Sequence, residues 1–245
     1  MPFLKSNLII NLMKQTIFYQ WIAILLALSG LQSCIGDDII QDLVPEQVRI
    51  LNPLDSLPLN ETFQFSASYF NNIGVEETAT IVWSSSDESI LSITADGTAT
   101  SISEGTVIVT ATTTTSTQEV LTDRITIQVS ASASGVPDLK ERTVTIRTTS
   151  SYVLEGTGVL KETASGELEL AVNSDFRASS SLPGLYVYLT NNPNTLSGAF
   201  EIGRVTQFSG AHSYTFSGAD LNTYAYVLFF CKPFVVKVGD GELAD

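Results

Sequence analysis

From residue 47 onward the chain alternates apolar and polar positions with the two-residue period of β-strands. In Thr62-Phe-Gln-Phe-Ser-Ala-Ser-Tyr-Phe70, residues Phe63, Phe65, Ala67 and Tyr69 share one face. Thr80-Ile-Val-Trp-Ser84, Thr106-Val-Ile-Val-Thr-Ala-Thr112 and Arg124-Ile-Thr-Ile-Gln-Val129 are β-branched runs and predict further strands. Ala95-Asp-Gly-Thr98 predicts a turn, with Gly97 free to take positive φ. No window combines helix caps with a 3.6-residue apolar period. Short strands at this spacing predict a sandwich over residues 47–130.

Residues 131–140, Ser/Ala-rich up to Pro137, read as a linker. A second β-rich unit is predicted over 141–245. Its hairpin joins residues 153–162 and 167–173 through Ala164-Ser165-Gly166. Further strands are predicted at 185–189, 198–205, 213–216 and 226–236, with a turn at Asn191-Asn-Pro-Asn194. The expected fold class is all-β, as two tandem β-sandwich domains.

The N-terminus reads differently. Residues 17–28 form an apolar run preceded by Lys14. It falls short of the about 20 residues that span a bilayer and has the length of a signal-peptide core. Leu31-Gln32-Ser33-Cys34 resembles the lipobox of bacterial lipoproteins. That resemblance implies a diacylglycerol on the Cys34 thiol and cleavage before it. Residues 1–33 are then a lipoprotein signal peptide, with Met13 an alternative start, and 34–46 are the lipidated cysteine and tether. Asp37-Asp38 resembles the surface-export signal of some Gram-negative lipoproteins. The implied location is the outer membrane, facing outward, with the membrane as a partner through Cys34.

Composition narrows the chemistry. Twenty-six acids against 12 bases give a formal charge of −14, which argues against a nucleic-acid partner. Only 16% of residues are charged and 44% are hydrophobic, so the chain is not a disordered acidic tail. One histidine and two cysteines leave little for a zinc site or a disulfide framework. With lipid on Cys34, Cys231 is the one free thiol.

Two resemblances add to this. Val82-Trp-Ser-Ser-Ser-Asp87, Ile90 to Ile93, Asp96-Gly97 and Gly105-Thr-Val-Ile-Val-Thr-Ala111 resemble the bacterial Ig-like group 2 family over residues 47–130. Trp83 is then expected in the core. The longer loop at residues 71–77 departs from that pattern. Farther on come Pro183-Gly-Leu-Tyr-Val-Tyr-Leu189, Gly203, Gly210-Ala-His-Ser-Tyr214, Ala219-Asp-Leu221, Val227-Leu-Phe-Phe-Cys-Lys-Pro-Phe234 and Glu242-Leu243. These resemble the DM-thirteen domain over residues 141–245. Gly184, where the family often has Asp, and Gly241, near its usual Ala, are departures.

The DM-thirteen resemblance implies a redox or electron-transfer role for Cys231, as a thiolate or as a ligand to haem or metal. The residues themselves favour a buried hydrophobe: Val227, Phe229 and Cys231 share one strand face, with Leu228, Phe230 and Lys232 on the other. His212 is expected on an exposed loop, though it could serve as an axial partner to Cys231. Tyr186 and Tyr188 share a face that could stack on a sugar or aromatic ligand. Acid pairs at 87–88 and near 240–242 could form a loop calcium site, but read as solvated turns. No hydrolase constellation stands out, so no catalytic residue is assigned and an enzyme is not expected. The leading class is a non-catalytic surface binding or adhesion lipoprotein for a glycan or protein, its Ig-like part a stalk, with no cofactor. The alternative is a surface redox module built on Cys231.

Overall fold

A computed structural model describes residues 43–133 and 141–244. The signal segment, the Cys34 lipidation site, the Asp37-Asp38 pair and linker residues 134–140 lie outside the described residues. The protein is all-β, with no α-helix among the described residues. The N-terminal strands are β1 (Gln47–Ile50), β2 (Ser56–Pro58), β3 (Thr62–Gln64), β4 (Ala67–Phe70), β5 (Glu76–Glu77), β6 (Val82–Ser85), β7 (Leu91–Ile93), β8 (Thr98–Ser101), β9 (Gly105–Thr114) and β10 (Val120–Ser130). The C-terminal ones are β11 (Glu141–Thr148), β12 (Leu154–Glu162), β13 (Leu168–Val172), β14 (Arg177–Ala178), β15 (Leu185–Thr190), β16 (Phe200–Arg204), β17 (His212–Phe216), β18 (Tyr226–Cys231) and β19 (Val236–Ala244).

The N-terminal strands form three sheets, ordered β1-β4-β5, β2-β10-β9-β6 and β3-β8-β7. They enclose a core of Val48, Ile50, Phe65, Leu91, Val109 and Ile127 with their neighbours. Strand β9 shows how sequence sets the face: Val107, Val109, Ala111 and Thr113 point inward, and Thr106, Ile108 and Thr114 point out. Buried Thr113 satisfies its hydroxyl by donating to the Thr80 carbonyl at 2.9 Å. Trp83 is half-buried rather than central, packing on Phe65 with ring centroids 5.8 Å apart. Gly97 takes φ +87°, and a Cβ there would lie 2.9 Å from the Trp83 indole nitrogen. The turn and the tryptophan therefore both require glycine.

The run expected as one strand over 62–70 is two, because β3 pairs with β8 and β4 with β1. Phe63, Phe65 and Ala67 still pack on the N-terminal core. Phe70 faces the other way and is nevertheless 2% exposed. The Arg49 guanidinium lies 5.1 Å above its ring and donates to the Asn191 side chain and the Asn222 and Thr223 carbonyls. Asn192 donates to the Ile73 carbonyl, and Asn222 to that of Leu51. The N-terminal and C-terminal strands thus meet along a polar seam. Val44 donates to the carbonyl of Asn72, the neighbour of Ile73.

The C-terminal strands make one nine-stranded sheet, ordered β16-β15-β18-β19-β11-β12-β13-β17, with β14 on β12. The sheet curls until its two edges approach, with the rings of Phe200 (β16) and Phe216 (β17) 5.6 Å apart. The expected second sandwich is built from a single sheet folded over its own core, which shelters both edges. That core includes Ile146, Leu160, Leu170, Phe176, Val187, Phe229 and Cys231. The strand expected over 226–236 ends at Cys231: Lys232–Phe234 form a 3₁₀ turn, and β19 returns from Val236. Pro233, which has no N–H for a ladder, marks the break.

Strand β19 crosses β11 at close range. A Cβ on Gly241 would sit 2.5 Å from the Thr145 carbonyl oxygen, and one on Gly239 would overlap that of Arg147. Gly239→Ala should cost about 1–3 kcal/mol by overpacking. Gly166→Ala, at φ +80° with open space around it, should cost only about 1–2 kcal/mol of backbone strain. Urea midpoints of the two variants check the ranking. An equal or smaller loss at Gly239 would show that the crossing can relax.

Candidate functional site

Strands β15 and β18 run antiparallel, with Leu185 opposite Cys231 and Thr190 opposite Tyr226. Both are covered on both faces. Leu185, Val187, Leu189, Val227, Phe229 and Cys231 face the main core. On the reverse, Tyr188, Leu228 and Phe230 form a second cluster with Tyr186, Leu196 and Ala199. The alternation expected from sequence holds on both strands. Its consequence for Cys231 is burial: the thiol is 0% exposed, with Leu185 and Val236 as its strand neighbours. The expected ligand or redox position is sealed, and the buried-hydrophobe reading fits it.

His212 is not on an exposed loop. It opens β17, half-buried, with its ring edge-on to Phe176 at 5.1 Å. Its Nδ1 lies 3.0 Å from the Gly210 carbonyl oxygen and its Nε2 3.1 Å from the Tyr214 hydroxyl. Both ring nitrogens are thus engaged locally, and neither engages Cys231.

Tyr186 and Tyr188 do share a face, but it is closed. Tyr188 is 3% exposed, its hydroxyl donating to Glu201 at 3.3 Å. Burial pushes its phenol up. Lys232 folds back over the pair, its Nζ 4.1 Å from the Tyr186 ring centroid and 5.9 Å from that of Tyr188. It also pairs with Glu201, and the hydrogen bond to that carboxylate pushes the ammonium up. The expected stacking platform is thus occupied by the chain's own lysine.

The acid pairs serve local structure. Asp87 accepts from the Ser89 hydroxyl and amide, which hold its carboxyl below the usual range. Asp240 pairs with Lys237. Among the described residues no three His, Cys, Asp or Glu side chains converge on one point.

Two features escaped the sequence reading. One is a groove of about 400 Å³ beside β4, β5, β6 and β9, lined by Tyr69, Glu77, Thr80, Thr112 and Thr114 among others. Its residues lie far apart in sequence and share no motif. The other is the turn after Cys231, where Phe234 and Val235 are 62% and 78% exposed. Pro233 inside a predicted strand was the available signal.

No family model matches this chain, and no curated protein matches it. The Ig-like and DM-thirteen resemblances therefore rest on the residues quoted for them.

Two measurements check this description. Cys231 in the chain from Ile35 onward should resist a thiol reagent under native conditions and react fully in denaturant. Rapid native labelling would place it at a surface. Burial pushes the Tyr214 phenol up to about 12 from an ordinary 10.0. Between these values the unfolded chain has lost this proton and the folded chain keeps it. The stability it contributes is complete below pH 10 and lost as pH rises toward 12. Tyr214→Phe should therefore show a smaller drop in urea midpoint between about pH 9 and about pH 11 than the parent chain.

Proposed function

We propose that this chain is an outer-membrane lipoprotein, anchored by lipid on Cys34 and displayed outward, that binds a ligand without transforming it. The signal-like run and Leu31-Gln32-Ser33-Cys34 support the anchor. The observation that carries binding over redox chemistry is the position of Cys231. A thiolate or a haem ligand needs access, and a thiol at 0% exposure between Leu185 and Val236 has none. The N-terminal region serves as support for the C-terminal one. In this reading it is the stalk, joined to the C-terminal strands through Arg49.

Of the two ligand classes, glycan and protein, a glycan suits the groove at β4, β5, β6 and β9 better. Hydroxyls of Thr80, Thr112 and Thr114 can exchange hydrogen bonds with sugar hydroxyls, Glu77 can accept them, and Tyr69 supplies a ring. Affinity electrophoresis of the chain from Ile35 through gels loaded with soluble polysaccharides tests this. Retardation is expected with at least one polysaccharide, and its loss in a Glu77→Gln, Thr112→Val variant that keeps the parent urea midpoint. No retardation by any of a broad set, or retardation unchanged in the variant, would remove the groove from the proposal.

A further inference from the structure

The exposed large hydrophobic residues of the C-terminal region are Tyr152, Val153, Phe234 and Val235. They belong to two loops at one end of the curled sheet. The Thr149 amide and the Ser150 hydroxyl both donate to the Val238 carbonyl, which ties residues 149–153 to the start of β19. The turn carrying Phe234 and Val235 leads directly into that strand. This end is remote from the seam. Thr190 and Tyr226 border the seam residues, and Leu185 and Cys231 close the same strand pair at its other end, about 17 Å away at ~3.3 Å per residue.

The turn holds its apolar residues out rather than letting them fold back. Pro233 is wedged against Gly184, where a Cβ would meet the proline ring at 2.7 Å. Val235 then takes φ +53°, ψ +48°, a left-handed conformation that strains a β-branched residue. Such strain at a solvent-exposed position is a cost that folding alone does not explain. The two loops contain no carboxylate, although the chain has 26.

We propose that this tip inserts into the headgroup region of a lipid bilayer. The size of the tip chooses the bilayer. Its two loops, residues 149–153 and 232–235, hold nine residues in all, well short of the about 20–30 residues a side in a stable protein interface. A bilayer needs no matching surface, and a few apolar side chains on rigid loops can partition into it. This argument does not depend on the lipid anchor proposed above.

The test uses the unlipidated chain from Ile35. It keeps the whole fold, since every residue of both main cores lies between Val48 and Leu243. Co-sedimentation with phosphatidylcholine vesicles should show weak saturable binding. A Phe234→Ser, Val235→Gly variant should lower the partition coefficient about tenfold or more, because it removes two apolar side chains from the bilayer. Val235→Gly also relieves the left-handed strain, so the variant's thermal midpoint should match or exceed the parent's. No vesicle binding by the parent, or equal binding by the variant, would overturn the proposal. So would self-association of the parent that the variant loses, since the tip would then be a contact between copies. Mass spectrometry of the N-terminal peptide from native material reads the anchor separately. Unmodified Cys34 would sink the anchor and leave the vesicle result standing.

Discussion

Burial of the β15–β18 pair on both faces is the constraint from which the C-terminal region follows. An ordinary antiparallel strand leaves one face to water. Here the side of Val187 and Phe229 closes the main core, and the side of Tyr188 and Phe230 is capped by Leu196, Ala199 and Lys232. A thiol on such a strand packs as a small apolar group, and a tyrosine pair on it becomes core. The chemistry that sequence suggested for Cys231, Tyr186 and Tyr188 depended on one open face.

Much of the fold was legible because two-residue alternation is local. The hairpin at 164–166, the Gly97 turn and the facing of Val227, Phe229 and Cys231 all follow from neighbours within a few residues. What failed was non-local. Whether Phe63 and Tyr69 lie on one strand depends on which strands pair with each half of the run, and β8 and β1 belong to different sheets. His212 looked like a loop residue because its partners, Phe176 and Tyr214, reach it only when β17 pairs with β13. The groove beside Tyr69 draws on four strands and has no linear signature. The end of the strand at Cys231 had a local signal in Pro233, which the strand expected over 226–236 overran.

The positions that depart from the family-like patterns turn out to be contact positions. Gly184 stands against Pro233, and Gly241 lets β19 pass β11, so a side chain at either would collide. The longer loop at 71–77 is the part of the N-terminal region that reaches the seam, where the Ile73 carbonyl receives the Asn192 amide. A Cβ on Gly74 would meet the Asn191 backbone at 2.8 Å. At each of these positions one part of the chain sets what another can carry.

The seam also bears on how the two regions are held together. Arg49 holds three acceptors of the C-terminal region while covering Phe70, and it does so from β1, the first strand after the chain enters. Charge-assisted bonds from a planar guanidinium to fixed carbonyls tolerate little rotation. Arg49 therefore fixes how the N-terminal and C-terminal strands meet, and a change there is felt on both sides of the seam.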